Sequence, residues 1–282
     1  MSEQSTKSLW RRVPVIIRAV IGGILVGMLA ANIWPIFLVA FGMPVAAGAE
    51  VTFLALYIWW ASGGGAPARF KALRADYFRV RPLSRAQWFW GVVAAVSFAA
   101  AIHAAIVLLF RLVPFPAAAF HQGYDFSFIA SRQMQWLACI VSALSAGVCE
   151  ETGFRGYLQR PIEKRHGPVA AILISSLFFM LIHLTKDWAL IGMVPIILLA
   201  GILLGTLAWA SGSLVFCMLG HWIMDIGLFA YWWTQIAGTF AQRPISEVGM
   251  DRTFMAECAV FVIVLILMLA ATKKLRGSHR GN

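Results

Sequence analysis

Long apolar runs separated by short polar stretches are the dominant pattern of this chain. A helix needs about 20 apolar residues to cross a bilayer, because each residue adds about 1.5 Å to its length. The pattern predicts eight spans, at about 14–40, 45–61, 87–111, 133–160, 168–185, 188–210, 213–236 and 253–272. We therefore expect an all-α fold, a polytopic membrane bundle of about eight transmembrane helices.

The polar stretches between the spans show no sign of a separate soluble domain, and no internal repeat divides the chain. We therefore expect residues 1–282 to form a single integral membrane domain. Within it, segment 68–81 combines Arg and Lys with Phe, Leu and Tyr. That mixture predicts an amphipathic helix lying on a membrane surface.

Composition supports this fold class. The chain is 61% hydrophobic and 12% charged, with a mean hydropathy of +0.79. A soluble domain has about 45–50% apolar and about 25% charged residues, so the composition excludes a soluble globular protein. The four cysteines all fall in apolar runs, which indicates small buried side chains rather than a disulfide framework.

The net charge of +11 comes from basic residues that cluster at 7–18, 69–85, 155–165 and 273–280. The predicted spans place all four clusters on one side of the membrane. The other side receives only Arg111, Arg132, Lys186, Arg243 and Arg252. By the positive-inside rule, we expect both termini in the cytoplasm and the protein in the plasma or inner membrane. The clusters would face anionic lipid headgroups, so no nucleic-acid partner is expected.

Ionisable residues inside three of the predicted spans mark the candidate site. Glu150 and Glu151 occur in the fourth span, His183 near the end of the fifth, and His221 with Asp225 in the seventh. A charge at the bilayer centre costs roughly 2.5 kcal/mol or more. Such residues therefore need partners, and they usually serve a function.

The two adjacent glutamates are expected to differ in role. Glu151 and Arg155 are four residues apart, so they share a helix face and predict a buried, mainly structural ion pair. Glu150 is rotated by about 100° from Glu151 and has no such cation. A carboxyl group of that kind suits proton transfer, so we expect Glu150 to be the catalytic one. Glu50, at the start of the second span, is expected at the membrane interface.

These residue types suit the hydrolysis of an amide bond. Glu and His can hold and deprotonate a water molecule, while His and a second polar group can stabilise an oxyanion. Two histidines and two carboxylates could alternatively bind Zn²⁺, although the chain has no HExxH motif. Two other classes stay open: a proton-coupled transporter, which would use the same buried residues, and a non-catalytic membrane scaffold.

Three motifs together resemble one known family. EExxxR at 150–155, FxxxH at 179–183 and HxxxD at 221–225 resemble the CPBP family, the CAAX-protease and bacteriocin-processing membrane proteins similar to Rce1-type prenyl endopeptidases. The resemblance covers about residues 130–240. It implies an eight-helix bundle with a cavity open toward the cytoplasm and the membrane. It also implies an intramembrane endopeptidase, of the glutamate or the metallo type.

The resemblance implies roles for particular residues. Glu150 and His183 would position the attacking water, with Glu151 and Arg155 supporting them. His221 and the residue at 225 would stabilise the oxyanion.

Position 225 departs from the family pattern, because the best-studied branch of the family has Asn where this chain has Asp225. An ionised carboxylate would repel an oxyanion, so Asp225 must be protonated, orient His221 or bind a metal.

We therefore expect an endopeptidase whose substrate is a membrane-associated polypeptide, cleaved near the cytoplasmic half of the bilayer. No cofactor is expected to be obligatory. If Zn²⁺ is used instead, its ligands would come from Glu150, His183, His221 and Asp225.

Overall fold

The computed structural model describes residues 12–280, and that part of the chain is helical with no β-strand. The basic residues at positions 7 and 11 lie outside the described residues. The helices are α1 (Val15–Phe41), α2 (Val45–Ala61), α3 (Lys71–Tyr77), α4 (Arg85–Leu112), α5 (Ala117–Gly123), α6 (Arg132–His166), α7 (Pro168–His183), α8 (Val194–Ser211), α9 (Val215–Trp233), α10 (Ile245–Val248) and α11 (Arg252–Arg280). The all-α prediction is confirmed.

Six of these helices are long and apolar enough to cross a membrane: α1, α4, α6, α8, α9 and α11. Helices α2 and α7 are apolar but shorter, at 17 and 16 residues. The chain is therefore a multi-pass membrane protein by its helices, and the total of eight crossings stays a prediction.

Local sequence explains where two of the helices meet. Helix α6 continues six residues past its predicted end and stops before Gly167, whose φ of +84° suits glycine. Pro168 then begins α7, because a proline at the first helical position loses no hydrogen bond. The surface segment predicted at 68–81 contains a short 3₁₀ turn, Ala68–Phe70, followed by α3.

Ion pairs join α3 to the last turns of α6. The Asp76 carboxylate lies 2.5 Å from Lys164 and 3.2 Å from Arg160, and Arg79 pairs with Glu163 at 2.7 Å. Burial alone would raise the pKa of Asp76, but the hydrogen bond from Lys164 and the charge of Arg160 lower it below its usual value. The surface segment is therefore fixed to α6 by charge.

The ends of α8 and α11 lie beside this cluster. Arg81 donates to the Ser211 carbonyl at 3.1 Å, and the Arg276 guanidinium lies 4.0 Å from the centre of a Trp209 ring. We call this side the basic end, comprising loops 62–84 and 212–214, the last turns of α6 and the last turns of α11.

An ion pair and a hydrogen bond join the loops at the other end of the bundle. Arg111 pairs with Asp251 at 2.7 Å, and Arg132 donates to the Ile236 carbonyl at 2.6 Å. We call this side the opposite end, comprising loops 113–131, 184–193 and 234–251.

Helices α1 and α6 cross at closely apposed glycines. A Cβ added at Gly27 would lie 2.8 Å from the Gly153 Cα, and one added at Gly23 would lie 2.9 Å from the Gly153 carbonyl oxygen. Small residues allow helices to approach this closely in a membrane. The crossing places α1 against the part of α6 that carries the glutamates.

Replacing Gly27 by Ala is therefore expected to destabilise the protein, by about 1–3 kcal/mol as for an overpacked core. Gly48→Ala is the matched control, because Gly48 is also helical but a Cβ there would have no atom within 4 Å. That change should be neutral or stabilising by about 0.5–1 kcal/mol. Thermal unfolding in detergent micelles measures both, and equal midpoints for the two variants would contradict the close crossing.

Candidate active site

Turns of π-helix occur next to the three motifs. In α6 the turn Thr152–Leu158 begins directly after Glu151, and in α9 the turn Leu228–Trp233 begins three residues after Asp225. A third, Ala189–Met193, comes six residues after His183. Such turns are rare and frequently mark functional sites, because they redirect the side chains around them.

The Glu151 carboxylate is the centre of the buried polar network. Its Oε1 lies 2.8 Å from Arg155 Nη1 and 2.8 Å from His221 Nδ1. Glu151 and Arg155 are completely buried, and His221 is 3% exposed. The sequence predicted the pair with Arg155, whereas the bond to His221 on α9 is a finding of the structure.

Arg155 extends this network to two more helices. It donates to the Gly201 carbonyl on α8 at 3.3 Å, and its guanidinium lies 4.4 Å from the centre of the Phe179 ring on α7. Such a cation–π contact strengthens when it is desolvated. One ion pair therefore connects α6 to α7, α8 and α9.

His221 lies between two carboxylates. Its Nδ1 contacts Glu151, and its Nε2 lies 3.4 Å from Asp225 Oδ2, one turn further along α9. A carboxylate accepts hydrogen bonds, so Nδ1 carries a proton that it donates to Glu151. The contact of Nε2 with Asp225 is longer than that of Nδ1 with Glu151, so Nε2 is the less tightly held nitrogen of the His221 ring.

His183 is the last residue of α7, and its backbone contact assigns the ring tautomer. Nδ1 lies 2.7 Å from the Phe179 carbonyl oxygen. A carbonyl can only accept, so Nδ1 carries the proton and donates it. In a neutral ring Nε2 is then an acceptor. His183 can therefore take a hydrogen bond from a water molecule.

The three motifs meet at one cavity of about 80 Å³. Glu150, His183, His221 and Asp225 all line it, together with apolar side chains of α4, α8 and α9. The Glu150 Oε2 atom is buried without a hydrogen-bond partner among residues 12–280. Glu151 is not among the lining residues, as expected from its rotation around the helix relative to Glu150.

A larger groove, of about 410 Å³, adjoins the same site. Glu150 and His183 line this groove as well as the cavity. Its other walls come from α1, the upstream part of α6, and the loop residues Tyr124, Asp125 and Lys186 at the opposite end. Glu150 and His183 therefore lie where the cavity and the groove meet.

Tyr124 is a site residue that sequence reasoning missed. It lines both the cavity and the groove, and its ring packs against Trp233 with centroids 4.4 Å apart. Burial raises the pKa of the Tyr124 phenol, and the charges of Glu150 and Asp225 raise it further, so the hydroxyl keeps its proton. Tyr124 lies in a loop with no motif around it, so no sequence signal marked it.

Glu50 packs inside the protein, and its position at the membrane interface stays a prediction. It is completely buried, and neither carboxylate oxygen has a hydrogen-bond partner in the described part of the chain. This burial could not be predicted, because the position of Glu50 at the start of an apolar run gives no information on which helix covers it. Glu50 lines neither the cavity nor the groove.

The arrangement of donors does not fit a zinc site. No group of three or more His, Cys, Asp or Glu side chains within residues 12–280 is placed to hold a metal ion. His221 Nδ1 donates to Glu151 and His183 Nδ1 donates to a carbonyl, so only the Nε2 atom of each ring could bind a metal. We therefore derive no chemical step through a metal.

Residues 132–227 match the model of the type II CAAX prenyl endopeptidase Rce1-like family. The matched segment runs from the start of α6 into α9 and contains all six residues predicted for the site. It confirms the resemblance of this segment to the CPBP family, and the family that it matches is one of prenyl endopeptidases. No curated protein and no solved structure matches the chain.

Arg155→Met should destabilise the protein strongly, because it leaves the buried Glu151 carboxylate without its cation. Removing one partner of a buried pair typically costs about 3–5 kcal/mol. Lys164→Met is the control on the same helix, since Lys164 is 53% exposed where it pairs with Asp76. That change should cost at most about 1 kcal/mol. Equal losses of thermal stability in micelles would contradict the structural role of the Arg155 pair.

Proposed function

We propose that this protein is an intramembrane endopeptidase that hydrolyses a peptide bond of a membrane-associated polypeptide. The observation that supports this most is the shared cavity, where Glu150, His183, His221 and Asp225 from three helices face one space. All four residues lie in the part of the chain that resembles Rce1-like endopeptidases. We propose the plasma or inner membrane as its location, with the basic end against anionic headgroups.

Glu150 and His183 hold the attacking water. The free Glu150 oxygen accepts a hydrogen bond from one O–H group of the water, and His183 Nε2 accepts a hydrogen bond from its other O–H group. The water oxygen then attacks the carbonyl carbon of the substrate, and its proton passes to Glu150. This forms a tetrahedral intermediate with a negative oxygen. Glu150 returns the proton to the leaving nitrogen as the C–N bond breaks, giving an acid and an amine.

His221 stabilises the negative oxygen of this intermediate. Its Nδ1 proton is held by Glu151, so a proton on Nε2 gives the ring a positive charge directed at the cavity. Of the three roles left open for Asp225, the 3.4 Å contact supports the orientation of His221. In this role Asp225 balances the charge of the ring.

We also propose that no metal is obligatory. Glu150 supplies the base and His221 the positive charge, which are the two contributions that a zinc ion would otherwise make. Removal of metal by a chelator is therefore expected to leave the rate of cleavage unchanged.

The test is cleavage of a membrane-tethered peptide library by the purified protein in lipid vesicles, with Glu150→Gln against Glu50→Gln. Both changes replace a carboxyl whose Oε2 is buried without a partner by an amide of the same shape, but only Glu150 lines the cavity. Loss of a general base typically lowers the rate about 10²–10⁴-fold. We expect that loss for Glu150→Gln, and a rate near that of the wild type for Glu50→Gln.

Each contrary result has a specific meaning. Loss of cleavage on chelation would replace the proposed water activation with a metal-dependent one. Equal losses of cleavage rate in both variants would show that loss of the carboxyl lowers activity by disturbing the fold. A wild-type protein that cleaves no peptide would favour a scaffold, or a carrier if proton-coupled flux is found.

A further inference from the structure

We propose that the cavity at the basic end binds the phosphate group of one anionic phospholipid. None of the residues proposed for the active site lines this cavity, so binding there does not depend on peptide cleavage. It also differs from the general attraction of basic loops to anionic headgroups, because a single lipid would occupy a defined site.

Helices α3, α6, α8 and α11 meet around this cavity, which has a volume of about 400 Å³. That volume falls in the range of about 300–1,000 Å³ that is typical of small-molecule sites. The charged side chains that line it are Arg79, Arg81, Arg160, Arg276, Asp76 and Glu163. Four arginines against two acids leave a surplus of two positive charges, so the cavity suits an anion.

Both acids of this cavity are already paired with cations. Asp76 lies 2.5 Å from Lys164, which does not line the cavity, and 3.2 Å from Arg160. Glu163 lies 2.7 Å from Arg79 and 3.0 Å from Arg160. These ion pairs hold two of the arginines in place. An entering anion therefore would not meet an unpaired carboxylate.

Two arginines of the cavity have hydrogen-bond donors left for an anion. The Arg276 guanidinium lies 4.0 Å from the centre of a Trp209 ring, and no carboxylate or carbonyl in the described part of the chain accepts a hydrogen bond from it. The Nε atom of Arg160 is buried without a partner among residues 12–280, which is an unfavourable state for a donor. The planar fork of N–H groups in arginine matches the oxygens of a phosphate. A phosphate in the cavity would therefore supply the acceptors that these two side chains lack.

The outer face of α11 indicates that this phosphate belongs to a lipid. Val262, Leu269 and Arg276 follow one another at intervals of seven residues, so they share one face of the helix. Both apolar side chains are about half exposed, and only 11% of the most apolar stretch of α11 is buried inside the protein. An acyl chain can therefore run along this face while its headgroup reaches Arg276. Trp209, which contacts Arg276, is of a residue type that is enriched at the membrane interface.

A lipid bound here would join α11 to the other helices at the basic end. Ion pairs already fix α3 to α6, whereas Arg276 of α11 contacts only the Trp209 ring among the charged and aromatic groups around the cavity. One phosphate that contacts Arg160 and Arg276 would connect α6 to α11. A ligand that binds only the folded state stabilises it, so anionic lipid should raise the unfolding temperature.

Native mass spectrometry of the purified full-length protein measures this binding directly. In micelles titrated with phosphatidylglycerol, the wild type should retain one tightly bound lipid, and phosphatidylcholine should bind at least about tenfold more weakly. Arg276→Gln should lower the affinity for phosphatidylglycerol about tenfold, because it removes charge-assisted hydrogen bonds to the phosphate. Lys274→Gln is the matched control, since Lys274 is exposed on the same helix and does not line the cavity. It should bind phosphatidylglycerol as the wild type does.

Ala75→Glu tests the same cavity without removing an arginine. Ala75 lines the cavity, so a carboxylate there would compete with the phosphate for the arginines and lower the affinity by a similar factor. Ala72→Glu is the control on the same helix, because Ala72 is exposed and does not line the cavity. Thermal unfolding in phosphatidylcholine shows whether each variant is folded, and if one lining variant is not, the other decides the result.

Three results would overturn the proposal. Equal affinities in the lining and the control variants would show that overall charge, and not the cavity, attracts the lipid. Equal binding of phosphatidylcholine would show that the site does not select an anion. Displacement of phosphatidylglycerol by inorganic phosphate at the same concentration would assign the cavity to a soluble phosphate compound instead of a lipid. A loss of affinity confined to Arg276→Gln and Ala75→Glu would support the lipid site.

Discussion

A carboxylate buried inside a membrane bundle must be compensated, and that of Glu151 has two partners, Arg155 and His221. An uncompensated charge there would cost several kcal/mol, so the network determines how α6 packs against α7, α8 and α9. The same contacts orient His221, the proposed oxyanion donor, because its Nδ1–H group donates a hydrogen bond to Glu151. The interaction that holds the helices together therefore also arranges the proposed chemistry.

Adjacent residues on one helix take different parts in this arrangement. Glu151 faces the neighbouring helices, where its Oε1 contacts Arg155 and His221, while Glu150 faces the cavity. The Oε2 atoms of both residues have no hydrogen-bond partner among residues 12–280, but only that of Glu150 belongs to a side chain that lines the cavity. The glycine crossing of α1 and α6 begins only three residues beyond Glu150, which brings α1 close enough to form a wall of the groove. The close contact of α6 with α1 and the cavity-lining carboxyl of Glu150 therefore lie within one turn of each other on α6.

The sequence was most informative where the physical rule is local. Apolar runs predicted the long helices, and the four-residue spacing predicted the pair between Glu151 and Arg155. The bond between Glu151 and His221 spans 70 residues of sequence, and no spacing rule predicts it. Tyr124 could not be assigned because a loop residue carries no periodicity. Trp188 and Trp233, which lie at span ends, are buried against the cavity, and only tertiary packing determines this.

In the proposed mechanism, a peptide bond reacts between Glu150 with His183 on one side and His221 on the other. A structure of the protein in lipid with a membrane-tethered peptide phosphinate, a mimic of the tetrahedral intermediate, tests it most directly. We expect one phosphinate oxygen within hydrogen-bond distance of Glu150, the other beside His221 Nε2, and the peptide lying in the groove. A phosphinate bound at the basic end, or away from Glu150, would contradict this mechanism.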